Sequence, residues 1–174
     1  MRAVVVYESM YGNTHLIADA IAKGLGGDGE VAVVPVEGAD EALLNGADLV
    51  VVGGPTHVHG MSHENTRKAA LDAAHKPDSD LSVDPDAEGP GLRDWFAALG
   101  ELPKAAAAFD TRIDAPAGVT GRASKGIARR LRRHGCSLLA DPESFLVTKD
   151  SHLEPDEEGR ARSWGERLGA AMTT

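Results

Sequence analysis

The chain alternates uninterrupted apolar runs with segments in which apolar residues recur every three or four positions. Runs of the first kind occur at 3–7, 31–36, 49–52 and 105–109, and a further one ends at 145–148, beginning as early as 137–139. A short apolar run without polar alternation is typical of a strand covered on both faces. The sequence therefore predicts five strands of a mostly parallel sheet.

Helical spacing of apolar residues fills the intervals between these runs. The pattern predicts helices at 14–25, 40–45, 64–75, 91–99, 123–134 and 157–172, the first of them ended by Gly26-Gly27. Strands that alternate with helices form an open, doubly wound α/β sheet with helices on both faces. The length of 174 residues suits one domain spanning 1–174.

One stretch breaks the alternation. Residues 76–91 contain Pro77, Pro85 and Pro90 among acidic residues and offer little to bury. Such a composition predicts a surface insertion.

Composition narrows the classes of function. The formal net charge is −9, which argues against general binding to nucleic acid or to an anionic membrane. The single cysteine, Cys136, rules out a disulfide within the chain and a four-thiolate metal site. We find no signal peptide and no apolar run near the ~20 residues of a membrane span, so we expect a cytoplasmic protein.

The first candidate site follows the first predicted strand. Here the segment Ser9-Met10-Tyr11-Gly12-Asn13-Thr14 leads into a helix. Hydroxyl and amide side chains, together with free backbone N–H groups at a helix N-terminus, can hold a phosphate. An ordinary capped turn between strand and helix, with Ser9 or Thr14 as the cap, explains the same residues equally well.

Two further segments follow the third and fourth predicted strands. They are Pro55-Thr56-His57-Val58-His59-Gly60 and Asp110-Thr111-Arg112, the latter opening a loop predicted to run to Gly121. Ligands of doubly wound sheets bind at the carboxyl ends of the strands, so we expect the three segments to meet.

These segments resemble those of the flavodoxin family. The pattern Ser9-x-x-Gly12-Asn13-Thr14 resembles the flavodoxin phosphate loop, and Pro55-Thr56-His57-x-x-Gly60 is similar to the loop that packs on the isoalloxazine ring. The resemblance implies a flavodoxin-like three-layer sandwich that binds FMN and transfers electrons. It assigns the phosphate to 9–14 and the two sides of the ring to 55–60 and 110–112.

The resemblance leaves the role open between a carrier, with a redox partner protein, and a small oxidoreductase acting on a quinone or NAD(P)H. Because 55–60 and 110–112 hold no aromatic residue, we expect His57, His59 or Thr111 with Arg112 to cover the ring. A flavin-free binding or scaffold module is one alternative. A metal-dependent hydrolase using His57, His59 and His63 is another, since clustered imidazoles bind zinc.

A basic block stands out in this acidic chain. Residues 102–135 hold eight basic and two acidic residues, and most of the cations lie on the helix predicted at 123–134. A solvated helix whose terminal cations complement the helix dipole accounts for this pattern. A docking patch for an acidic partner or a nucleotide phosphate is the functional alternative.

Overall fold

The computed structural model of the protein describes residues 1–26 and 30–174. The strands are β1 (Arg2–Tyr7), β2 (Glu30–Pro35), β3 (Leu49–Pro55), β4 (Ala105–Ile113), β5 (Ser137–Leu138) and β6 (Glu143–Val147). The helices are α1 (Asn13–Leu25), α2 (Glu41–Asn45), α3 (Glu64–Ala74), α4 (Leu92–Ala98), α5 (Ala117–Thr120), α6 (Ala123–Arg133) and α7 (Glu157–Met172), with a 3₁₀ turn at Val36–Gly38.

The strands form one parallel sheet in the order β2-β1-β3-β4-β5, and β6 also pairs with β4. β5 lies beside Ala105 and Ala106, whereas β6 lies beside Phe109 to Ile113. The predicted fifth strand therefore exists as two pieces in one sheet position, separated by 139–142. The predicted doubly wound α/β class is confirmed.

Alternating side chains along the strands build two separate cores. On β1 and β3, Val4 and Val50 face the core beneath α4 and α6, while Val5 and Val51 face the core beneath α1 and α7. All four are buried, as expected for strands covered on both faces.

The helix boundaries follow local signals in the sequence. α1 ends at Gly26, as predicted, while Gly27 lies outside the described residues. α2 begins after Asp40, whose carboxylate accepts a hydrogen bond from the Leu43 N–H at 2.9 Å and so caps the helix. None of the described helices is both long enough and apolar enough to cross a bilayer.

The segment 76–91 forms turns and bends without helix or strand. Asp84 and Ala87 are nevertheless buried, and the Asp84 N–H donates to the Met10 carbonyl at 2.8 Å. The Tyr7 hydroxyl donates to Asp86 at 2.8 Å. The segment thus packs against the turn that follows β1. That it is an insertion stays a prediction.

Candidate functional site

The turn between β1 and α1 has the geometry of an anion cradle. Gly12 adopts φ 92°, a left-handed conformation that a side chain disfavours, and its N–H donates to Ser9 Oγ at 3.1 Å. No side chain caps α1, and its first turn holds no acidic residue. The first backbone N–H groups of α1 therefore stay available to an anionic ligand.

A buried hydroxyl pair joins this turn to β4. Thr14 Oγ1 and Thr111 Oγ1 are 2.8 Å apart, and both residues are almost fully buried. In such a pair one hydroxyl donates to the other, so the second hydroxyl hydrogen is free to point elsewhere. The pair therefore leaves one donor for a ligand beside the α1 N-terminus.

The three predicted segments meet around one cavity of about 170 Å³. It is lined by ten of the fifteen predicted residues, namely Ser9, Met10, Tyr11, Asn13, Thr14, Pro55, Thr56, His57, Thr111 and Arg112. Gly12, Val58, His59, Gly60 and Asp110 do not line it. The volume lies below the roughly 300–1,000 Å³ of pockets that enclose small ligands, so a larger ligand would extend onto the open rim.

The segment after β3 makes a tight, strained turn. His57 and Gly60 exchange backbone hydrogen bonds of 2.8 and 3.1 Å across it. Val58 and His59 adopt φ values of 46° and 71°, which are unfavourable, above all for a β-branched residue. The turn leaves the Val58 side chain 80% exposed. Such strain at a site entrance is typical of functional turns.

His57 is held as a neutral imidazole. Burial, assisted by the nearby Arg67 charge, lowers the pKa of His57. Its Nδ1 lies 3.2 Å from Thr66 Oγ1, and the Thr66 hydroxyl already donates to the His63 carbonyl. Nδ1 therefore carries the proton in this network, which assigns Nε2 as an acceptor.

Asp110 lies in strand β4, whereas the sequence predicted that it begins a loop. The loop predicted to begin at Asp110 begins only after Ile113, because pairing with β6 extends β4 to that residue, and it contains the short helix α5. Asp110 is fully buried, and its Oδ2 accepts a hydrogen bond from the Ser124 N–H at 2.8 Å. Burial raises the pKa of this carboxyl. Asp110 thus fixes the start of α6 and does not line the cavity.

Three lining residues were missed by the sequence analysis. Ile113 ends β4, Val147 ends β6, and Ser151 lies in the turn that follows β6. The Ser151 carbonyl accepts a hydrogen bond from Asn13 Nδ2 at 2.7 Å, which ties this turn to the cradle. Extending the carboxyl-end rule to the loop after the fifth strand would have indicated Ser151.

The three histidines of the metal-dependent hydrolase hypothesis do not form a cluster of possible metal ligands among the described residues. Among the described residues, the group whose ligand atoms lie within 4.8 Å of one another is His15, Asp84 and Asp86. His57, His59 and His63 form no such group in the part of the chain that the structure describes. Within residues 1–26 and 30–174, His57, His59 and His63 therefore supply no ligand set for the hydrolase interpretation.

The turn between β1 and α1 suits a terminal phosphate, and the neighbouring ends of β3 and β4 suit a flat ring. Free N–H groups at α1, a spare hydroxyl in the Thr14–Thr111 pair and the Ser9 hydroxyl beside Gly12 form a set of donors that an anionic group could use. The cavity continues from there to Pro55 and His57. Fold and site together define a nucleotide-type cofactor site at the switch point of a doubly wound sheet.

Comparisons with known proteins agree with this class. The chain matches the Flavodoxin family over residues 5–101, and it belongs to that family. It is therefore an FMN-binding electron-transfer protein, as the resemblance implied. No curated protein matches the chain at a significant level.

Solved structures show the same fold. A flavodoxin from the domain Archaea is 20% identical, with all of both chains covered and a TM-score of 0.68. Flavodoxin 1 from Bacillus cereus is 20% identical over 97% of each chain, with a TM-score of 0.64. The flavodiiron core of Flv1 from Synechocystis is 17% identical with a TM-score of 0.62, and the match covers 99% of this chain and 36% of that one.

Proposed function

We propose that the chain carries electrons between proteins, with FMN held in the cavity between β1, β3 and β4. FMN supplies the redox chemistry, while the chain binds it and sets its environment. The α1 N-terminus, the Ser9 side chain and the Thr14–Thr111 pair would hold the phosphate. Asn13 would act through Ser151, closing the turn after β6 over the cradle.

The residues at the ring end are fixed by backbone contacts. The Thr56 N–H donates to the Thr111 carbonyl at 2.8 Å, and Thr56 Oγ1 accepts from the Ala123 N–H at 3.0 Å. These bonds leave Thr56 little freedom, so the turn from Pro55 to Gly60 starts from a rigid point. His57 would then present a neutral imidazole to the ring edge, where Nε2 could accept a hydrogen bond.

An exposed apolar rim supports the carrier role. Val58 is 80%, Val119 is 65% and Ile113 is 45% exposed. Val58 and Ile113 belong to the segments that surround the cavity. Val119 lies two residues before Gly121, which forms an isolated β-bridge with His59. Exposed apolar groups around a shallow cofactor cavity suit transient docking of another protein. This rim is the observation that carries the proposal.

A small oxidoreductase is the second candidate. The observation in its favour is a groove next to His59 with cationic lining residues that include Arg93, Arg122 and Lys125, which would admit a small substrate beside the ring. Such an enzyme would oxidise NAD(P)H and reduce a quinone without a protein partner.

Electron-transfer kinetics separate the two roles. The holoprotein is reduced by light with EDTA as the electron donor and mixed with a c-type cytochrome. The same preparation is assayed with NADPH and a soluble quinone. A carrier reduces the cytochrome, and the rim variant Val58→Asn/Val119→Asn slows this several-fold while the flavin absorption spectrum is unchanged. Fast turnover with NADPH and quinone, with cytochrome reduction unaffected by the rim variant, would contradict the carrier role.

A further inference from the structure

A cavity of about 500 Å³ lies beside the turn at His59, between α4 and α6. This basic groove is lined by six cationic side chains: Arg93, Arg122, Lys125, Arg129, Arg130 and Arg133. The described residues that line it include no carboxylate. So many cations around one concavity are unexpected in a chain of net charge −9.

The groove's cations form no ion pair among the described residues, although the charge of Arg122 acts on the buried Asp110. Ion pairs in that part of the chain involve Arg2, Arg67, Arg160, Arg162, Lys68 and His15, none of which lines the groove. Like charges that lie close together without ion-pair partners repel one another, so this arrangement lowers the stability of the folded protein without ligand. An anionic ligand would remove that cost.

Two groove cations are held in place by carbonyl and hydroxyl oxygens. Arg93 Nε donates to the Ser62 carbonyl at 3.1 Å, and its Nη2 donates to the Met61 carbonyl at 3.1 Å. Arg122 Nε donates to Ser144 Oγ at 3.1 Å. These bonds fix the two side chains without neutralising them. Their charges are therefore oriented before any ligand arrives.

Arg130 is the centre of the cluster. Its Nε is buried without a hydrogen-bond partner among the described residues. Burial lowers the pKa of Arg130, and the charges of Arg93, Arg133 and Arg129 lower it further. A buried donor left unpaired is unfavourable.

The helix dipole does not account for the groove. It favours cations in the last turn of α6, such as Arg130 and Arg133. Arg93 lies on α4, and Arg122 precedes α6, yet both line the same concavity. Two separate elements therefore contribute charge to one place.

We propose that the basic groove binds a small ligand carrying adjacent phosphate groups, of the pyrophosphate class. Guanidinium groups pair with phosphate oxygens in a bidentate manner, and several of them suit several negative charges. The volume falls within the range of roughly 300–1,000 Å³ typical of small-ligand pockets. None of the residues that line the groove lines the cavity proposed for FMN, so pyrophosphate binding can be tested independently of flavin binding.

Calorimetric titration of the holoprotein with inorganic pyrophosphate at low salt tests the proposal. We expect saturable binding at one site, weakened about tenfold or more in Arg130→Gln/Arg133→Gln. The matched control is Arg132→Gln/Arg162→Gln, which removes the same charge from two exposed arginines outside the groove. Its affinity should stay within about twofold of the unsubstituted protein.

Thermal unfolding shows whether the groove variant Arg130→Gln/Arg133→Gln is folded. Without ligand, the groove variant should unfold at the same temperature or higher, because like-charge repulsion is relieved. Added pyrophosphate should raise the unfolding temperature of the unsubstituted protein and of the control variant. It should raise the unfolding temperature of the groove variant much less.

Three results would overturn the proposal. One is the absence of saturable pyrophosphate binding. Another is equal weakening in the control, which would indicate a net-charge effect. The third is tight, groove-dependent binding of a polyglutamate peptide without binding of pyrophosphate, which would identify a docking face for an acidic protein.

Discussion

The Thr14 and Thr111 hydroxyl oxygens lie 2.8 Å apart, although 97 positions separate the two residues in the chain. The contact joins the first turn of α1 to the end of β4. It therefore couples the turn after β1 to the strand β4 at the other side of the cavity.

We expect Thr14→Val to weaken FMN about tenfold or more while leaving riboflavin binding nearly unchanged. A hydrogen bond to a charged phosphate contributes on the order of 1.5–3 kcal/mol, and riboflavin has no phosphate to accept it. Fluorescence titration of the apoprotein with each flavin measures both affinities. Equal losses for FMN and riboflavin would mean that Thr14 acts through fold stability.

The hydroxyl pair should behave as one unit. Thr14→Val/Thr111→Val is expected to cost less FMN affinity than the sum of the two single changes, because either change already breaks the shared hydrogen bond. A double-mutant cycle on the same titrations measures this coupling. Additive effects would show that the two hydroxyls bind independently.

Acid should destabilise the protein partly through His57. The pKa of His57 is lowered from 6.5 by burial, so below that pH the unfolded state binds more protons than the folded one. This contribution to stability is present above the unfolded pKa and is lost as the pH falls below it. Urea unfolding at about pH 7.5 and 5.5 should show a smaller acid loss in His57→Gln.

The exposed His75 provides the control for this experiment. His75→Gln should lose as much stability on acidification as the unsubstituted protein. An unchanged acid loss in His57→Gln would contradict the buried neutral state of His57.

Gly121→Ala should destabilise the protein by roughly 1–3 kcal/mol or more. Gly121 has φ 73° and ψ −176°, a conformation open mainly to glycine, and a Cβ there would lie 2.3 Å from His59 Cα. The change should displace the His57–Gly60 turn and weaken FMN. Gly159→Ala, on α7 with nothing within 4 Å, should instead stabilise by about 0.5–1 kcal/mol. Urea unfolding compares the two, and equal effects would reject the close contact.

The Cys136 thiol should resist modification in the folded protein. Burial raises its pKa to about 11, so at pH 8 the reactive thiolate is scarce as well as inaccessible. A chromogenic disulfide reagent should react slowly with the native protein and rapidly in guanidinium chloride. Rapid reaction of the native protein would contradict the buried position.

The sequence by itself determined the fold class and predicted that three segments meet at one edge of the sheet. Apolar runs such as Val4–Val6 and Val50–Val52 are local signals of strands covered on both faces, and the last helix was predicted at its observed bounds, Glu157–Met172. The carboxyl-end rule then brought Ser9, Thr14, His57 and Thr111 to one edge without any knowledge of contacts.

Only the tertiary structure decided which side chains face the cavity. Asp110 and Thr111 are neighbours in the chain, yet pairing with β6 keeps both in a strand, where successive side chains point to opposite faces. Thr111 therefore lines the cavity and Asp110 is buried against α6. Likewise, Arg93 joins the cations of α6 because α4 and α6 cover the same face of the sheet, a long-range packing that no local pattern encodes.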